Sequence, residues 1–210
     1  MKVSMAQPKK SPDPDRTDAN AIPPKERVRD RIMRTAAVLF YQRGIRAVGV
    51  DTIAEEAGTN KMSFYRSFAS KDELVAEYLR EKAKEAWSWW DTTAAAQAGN
   101  PRAQVETLFD LLVANTSTDD SRGCALANAA VEITEAGHPA RPVVEKYKAD
   151  VRQRFRALAG DMKAGDPGAL GDALTLLWEG SCIARLTLGR DGPVQGAADA
   201  ARALISAYTG

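Results

Sequence analysis

Gly58 stands between two short apolar-faced segments, and the run from Val50 to Phe68 that contains it leaves the chain few ways to fold. Ile53, Ala54 and Ala57 supply the apolar face of the first segment, and Met62 or Ser63, Phe64 and Phe68 continue it through the second. Glycine accepts the left-handed conformation that a helix exit commonly needs, so Gly58 predicts a sharp turn between two helices. Asn60 or Thr59 can then cap the second helix by accepting a backbone N–H. The small Ala54 leaves room for two helices crossing within a few residues. This is the pattern of a helix-turn-helix, whose second helix enters the DNA major groove.

The chain has 210 residues, 44% of them hydrophobic, enough for a sizeable core. Net charge is only +1, but residues 25–85 carry 13 basic and 10 acidic side chains, whereas 86–210 carry 12 and 15. The positive excess therefore lies with the helix-turn-helix, a modest bias compatible with phosphate binding. Cys124, Cys182 and the single His138 have no metal-ligand spacing, and no cofactor or metal is expected. No apolar run reaches the length of a membrane span, and the first residues lack the apolar centre of a secretory signal. The expected setting is the cytoplasm, with no membrane partner.

Residues 1–24 hold five prolines and almost no apolar periodicity, which predicts a flexible tail; Lys9 and Lys10 either brush DNA or face solvent. From Lys25 the stripe Ile32, Ala36, Leu39, Phe40 and Arg43 predicts a first helix ended by Gly44. Arg27, Arg29, Arg31 and Arg34 crowd its outer surface, facing DNA or solvent. Ser70 and Glu73 have capping-box spacing at the start of a long helix over 71–90, with Leu74, Val75, Tyr78, Leu79, Lys82, Ala86 and Trp90 along one side. That helix connects two expected domains, 25–70 and 71–210.

Asn100-Pro101 opens a further helix with Val105, Leu108, Phe109, Leu112 and Val113, before a polar break from Thr116 to Arg122. Elements follow from Gly123 to about Ala136 and from near Pro139, the latter alternating Val143, Val144, Tyr147, Val151, Phe155 and Leu158 with charge until Gly165-Asp166-Pro167-Gly168. Leu170 to Leu188 is apolar on two sides: Leu170, Leu174, Leu177, Ser181, Ala184 and Leu188 form one stripe, and Leu176, Ile183 and Leu186 another. The segment Val194 to Tyr208 is rich in small residues that allow close helix approach. The fold class is all-α, and the helices 168–190 and 193–209 are expected to pair with their copies in a homodimer.

With these motifs in place, the sequence resembles the tetracycline-repressor (TetR) family of transcriptional regulators. The resemblance spans roughly 27–75: Ala37-Val38-Leu39-Phe40, Gly44, Thr52 to Gly58, Ser63 to Phe68 and Ser70 to Leu74. Arg122-Gly123-Cys124, Asn128-Ala129-Ala130 and His138-Pro139-Ala140 also look like the regulatory region of many members. The resemblance implies an N-terminal three-helix DNA-binding domain followed by a larger helical domain that dimerises and binds a small-molecule effector. It also implies repression, relieved by that effector, at a near-palindromic operator in double-stranded DNA. Three departures bear on DNA contact: Gly49 where a hydroxyl residue is frequent, Ser67 where histidine is frequent, and Thr59 where a small apolar residue is common.

Carried onto this chain, the resemblance places Asn60, Lys61, Met62 and Ser63 against base edges and Thr52, Tyr65 and Lys71 against phosphate, with Phe64 and Phe68 in the core. Trp87, Trp90, Phe109, Tyr147 and Trp178, together with Trp89, are candidates for lining an apolar effector cavity, with Asn128 and Glu132 orienting the ligand. Glu132 and Glu179 can select a cation. An alternative is redox control through Cys124 or Cys182, and another is a helix-turn-helix used as a protein adaptor. One histidine, no phosphate-cradling glycine loop and no nucleophile motif argue against an enzyme.

Overall fold

A computed structural model describes residues 26–116, 122–189 and 191–210, so the expected tail at 1–24 and most of the polar break after Thr116 lie outside the described residues. The described chain is all-α. Its elements are α1 (Val28–Arg43), α2 (Val50–Glu56), α3 (Lys61–Ser67), α4 (Lys71–Ala95), α5 (Pro101–Thr116), α6 (Ala125–Glu132), α7 (Arg141–Asp161), α8 (Pro167–Leu188) and α9 (Ala197–Thr209). One 3-10 turn, Pro193–Gly196, precedes α9.

Local chemistry sets several helix ends. The side chain of Asn60 accepts from Ser63 N at 2.9 Å, that of Ser70 from Glu73 N at 3.1 Å, and that of Asp166 from Ala169 N at 2.9 Å. Asn100 does the same for Ala103 N at the start of α5. Asn60 is thus the cap of α3, and Thr59 is not. Gly58 has φ +61, and the bonds Gly58 N to Glu55 O and Thr59 N to Ala54 O close α2 as a Schellman turn.

Besides the start of α9, which the 3-10 turn moves from the expected 193 to Ala197, three boundaries differ from expectation. The alanine-rich stretch after Trp90 carries α4 on to Ala95, because alanine favours the helix and nothing before Gly99 interrupts it. The element expected over 123–136 is helical only from Ala125 to Glu132, where Ile133 turns into an extended, buried conformation. α7 ends at Asp161, ahead of the glycine-proline cluster, through Lys163 at φ 58 and the bond Ala164 N to Ala159 O.

The first three helices close over Ile32, Leu39, Phe40, Ile53, Phe64 and Phe68, all buried, and Leu74 and Val75 from the start of α4 join them. This core runs on without a break into that of α4–α9, with Phe40 and Tyr78 meeting at 5.6 Å between ring centroids. Arg43, placed on the apolar stripe by spacing, is exposed and pairs with Glu56. In the larger part, α7 and α8 approach closely at Gly171, where a Cβ would lie 2.6 Å from Arg156 Cα. Next to it Asp172 bridges the two helices, accepting from Arg152 and Arg156 with all four distances between 2.6 and 2.7 Å.

Those two guanidiniums hold the Asp172 carboxyl well below the usual carboxylate range, first through the hydrogen bond from Arg152 and then through that from Arg156. A carboxyl with a lowered folded pKa stabilises above its unfolded pKa, about 4, and the benefit is lost as pH falls below that value. Asp172→Asn should therefore lower Tm at pH 7, with the deficit narrowing steadily as pH falls from about 4 to about 2. Thermal unfolding across that range is the measurement, and a deficit of equal size at both ends would refute it.

Candidate nucleic-acid interface and effector region

α2 and α3 cross at a distance that the small Ala54 and Ala57, both buried, make attainable. Phe64 and Phe68 turn inward from α3, which leaves Met62 and Tyr65 outward at 67% and 51% exposure. A helix that shows a methionine and a tyrosine to water beside Lys61 and Arg66 presents a face built for contact rather than for packing. Arg66 reaches back to Met62 Sδ at 3.6 Å, and Lys61 Nζ lies 3.1 Å from the Asp51 carboxylate at the start of α2. Asn60, Lys61, Met62 and Tyr65 are exposed, whereas Ser63 and Thr52 are half-buried. Asn60 has committed its Oδ1 to the cap, leaving its amide NH2 as the donor for another partner.

The arginines of α1 are not a free basic surface. Arg31 Nε donates to Ala57 O at 2.9 Å and so stabilises the end of α2, Arg29 pairs with Glu77 at 2.6 Å while lying over the Phe68 ring, and Arg34 pairs with Glu26. Lys71 is half-buried and lines a cavity of about 480 Å³ with Arg46, Asp72, Glu132 and His138. Burial depresses its pKa, and the nearby Asp72 and Glu132 carboxylates oppose that effect. Its side chain faces the junction between the first helices and the rest of the molecule.

That junction was not read from the sequence. Glu132 Oε2 accepts from Arg46 N at 2.9 Å, Glu132 O accepts from Arg46 Nε at 2.6 Å, and the same guanidinium reaches Thr134 and Glu135. Tyr41 at the end of α1 donates to Gly123 O and accepts from Arg122 N, and Arg122 also donates to Gln42 O. His138 Nδ1 accepts from Ala140 N, with Nε2 3.4 Å from Asp72 in the first turn of α4. The segment 122–138 thus grips both the exit of α1 and the entry of α4.

The seven residues nominated for an effector cavity do not surround one space. Trp90, Phe109 and Trp178 are buried and, with Phe155, fill the centre of the larger part, their rings 5.0–5.9 Å apart. Asn128 donates to Arg122 O, which holds the loop before α6, and Glu132 belongs to the junction. Aromatic spacing alone could not separate residues that fill a core from residues that line a space. Trp87 and Tyr147 share an open groove of about 890 Å³ between α4 and α7, whereas Glu132 lines the junction cavity and Trp90 the edge of a separate groove. Trp89 stacks on Trp178. Glu179 is paired with Lys148 at 2.5 Å, and its other oxygen is buried with no partner.

Lys148 Nζ is 3.9 Å from Cys124 Sγ, and burial pushes the Cys182 thiol up. Among the described residues no group of three or more His, Cys, Asp or Glu is placed to hold a metal ion, and no helix is long and apolar enough to cross a membrane.

An all-helical chain that turns one face of the second helix of a helix-turn-helix to solvent falls in the class of helix-turn-helix regulators. The profile of the family described as bacterial regulatory proteins, tetR family, matches residues 32–78. The repressor KstR2 of Mycobacterium tuberculosis is 46% identical over 52 residues, which cover 25% of this chain and 26% of that protein. The activator FasR of Mycolicibacterium smegmatis is 33% identical over 96 residues, covering 44% and 43%. A tetR-type transcriptional regulator from Streptomyces avermitilis, known from its crystal structure, aligns with TM-score 0.77 at 29% identity, covering 87% of this chain and 98% of that one. The chain therefore belongs to the tetR family of bacterial regulatory proteins, although its match to KstR2 spans only about a quarter of that relative's length.

Gly44 offers a test of the junction. Its φ of +89 with ψ 153 suits only glycine, and a Cβ there would lie 3.1 Å from Glu132 Oε2. Gly44→Ala should cost about 1–3 kcal/mol in urea unfolding. Gly49, at φ −86 with open space around it, serves as the control: Gly49→Ala should be close to neutral.

Proposed function

We propose that the protein is a ligand-responsive repressor that binds a near-palindromic operator in double-stranded DNA as a homodimer. The observation that carries this is the outward face of α3, where Lys61, Met62 and Tyr65 stand clear while Phe64 and Phe68 anchor the helix from behind. Residues 25–70 act as the DNA-binding domain and 71–210 as the effector and dimerisation domain, with the first part of α4 connecting them. Asn60, Lys61, Met62 and Ser63 meet base edges, and Tyr65 and Thr52 hold phosphate, whereas Lys71, turned into the junction cavity, reaches phosphate only by swinging out of it. Repression is adopted on the likeness of the head to KstR2. Loss rather than gain of expression from the target promoter on deleting the regulator would reverse that sign.

The operator assignment rests on contacts of different kinds. Lys61→Ala should change the preferred sequence and cost about 1–3 kcal/mol at its base position. Tyr65→Phe should weaken binding to every sequence and leave the salt slope unchanged, because a hydroxyl releases no counterion. Selection of sites from random DNA followed by gel shifts measures both, and parent-like affinity and sequence preference in both variants would remove the assignment.

Dimerisation is supported by what α8 leaves uncovered. Leu176 is 74% exposed, and Ile183, Leu186 and Leu188 are exposed on the same helix, beside a groove floored by Ser181, Ala184, Val194 and Ala197 against α9. An apolar surface of this kind on a folded chain calls for a partner, and a copy of itself supplies one with two-fold symmetry. Two heads in such a dimer read half-sites about 34 Å apart. Leu176→Glu with Ile183→Glu should yield a folded monomer by sedimentation that binds operator at least about tenfold more weakly. A parent-like dimer from that variant would place the interface elsewhere.

A further inference from the structure

We infer that the groove between α4 and α7 is an effector site that selects an amphipathic organic anion, one with a flat apolar body and a single anionic headgroup. This deepens the ligand-responsive reading and rests on it for its regulatory consequence, though not for binding itself.

The floor of the groove is the Trp87–Tyr147 pair, with ring centroids 4.8 Å apart and planes inclined at 43°. Ala83 and Val143 flank it from the two helices, and its volume of about 890 Å³ suits a ligand of drug size. Burial pushes the Tyr147 phenol upward, so it is uncharged near neutral pH and the floor carries no anion. The charge around the floor is uneven. Asp150 is held by Lys146 at 2.7 Å, and Asp91 by Arg154, whose guanidinium also lies 4.0 Å from the Trp87 ring centre. Both carboxylates of the groove are therefore matched within the protein.

Arg80 and Lys84 are not matched in the same way. They stand four residues apart on α4, hence on one face, and both are exposed at the groove. Among the described residues Lys84 has only Glu81 at 3.9 Å, and Arg80 has no carboxylate within ion-pair distance. A flat apolar body seated on the aromatic floor would bring a headgroup to these two cations, whereas a cationic headgroup would be repelled. This inverts the expectation from Glu132 and Glu179, which pointed to a cation: those carboxylates are engaged by Arg46 and Lys148.

The location fits regulation. α4 begins at the junction beside Asp72 and passes along the groove, and α7 follows directly after His138, which touches Asp72. A ligand wedged between them favours whichever α4–α7 separation accommodates it, and so biases the attitude of the head.

The test uses the purified full chain and three probes of one shape: 1-naphthylacetate, 1-naphthylacetamide and 1-naphthylmethylammonium, titrated by calorimetry and by tryptophan quenching. The carboxylate should bind about tenfold tighter than the amide, and the ammonium more weakly still. Arg80→Gln with Lys84→Gln should bring the carboxylate down to the amide's affinity without changing the amide, and Val143→Trp, which fills the groove, should weaken both. Equal binding of carboxylate and amide, selectivity that survives the double glutamine variant, or no saturable carboxylate binding up to about 1 mM would each overturn the assignment. The regulatory reading is separated by gel shift: carboxylate that binds in the groove without altering operator affinity supports the site and removes its role as effector site.

Discussion

Glu132 joins the two parts of the molecule through both its carboxylate and its main chain. It accepts from the backbone of Arg46, its main chain accepts from the Arg46 side chain, and its oxygens occupy the space that a Cβ on Gly44 would need. A residue whose carboxylate accepts from a backbone N–H and whose carbonyl accepts from a guanidinium is a directional joint, unlike the apolar contact of Phe40 with Tyr78 close by. Apolar contacts tolerate sliding, whereas hydrogen bonds of 2.6–2.9 Å have one geometry. The head is therefore oriented by polar contacts and held on by apolar ones.

This arrangement bears on how a signal can cross the protein. The same short segment that grips the exit of α1 through Arg122 and Glu132 also touches the entry of α4 through His138. Moving α7 relative to α4 pulls on that segment directly, since α7 begins three residues after His138. An effector needs only a different affinity for two α4–α7 separations to change head geometry, with no path through the packed aromatic centre. Trp90, Phe109, Phe155 and Trp178 then serve as the rigid body against which the change is made.

What could be read from the sequence follows the range of the interactions involved. The turn at Gly58, the caps at Asn60, Ser70 and Asn100, and the helical stripes are decided within a few residues, and each left a local signature. Phe64 and Phe68 turn inward as the spacing implies, but Met62, which the spacing also offered for the apolar face, stands outward with Tyr65 and leaves the half-buried Ser63 on the inner side. Partners distant in the chain left none: Glu132 meets Arg46 across 86 residues, and an acidic residue at a helix end reads equally well as solvent-facing, ligand-selecting or bracing. Arg31 is the same case, since its spacing matched a basic outer surface while its guanidinium serves the end of α2. Trp90 and Trp178, buried in the aromatic centre while Trp87 lines a groove, show another limit: an apolar stripe says that a face is covered, not whether protein or ligand covers it.

Lys61 shows how a site can be preformed without being closed. Its ammonium rests on Asp51, an exposed pair in which both partners remain largely hydrated, so the contact is weak and easily exchanged. Without Lys61 nearby, Asp51 at the first turn of α2 would present a bare negative charge where the proposed reading needs DNA. With it, the free protein carries a neutral surface there, and approach of a phosphate or a guanine edge draws the lysine away at little cost. The exchange leaves Asp51 to the partial positive charge of the α2 N-terminus, which stabilises it. A deeper, drier pair would have to lose both partners' contacts before DNA could bind, and that penalty would fall on every sequence alike. Keeping the pair in water lets the lysine answer to the base it meets.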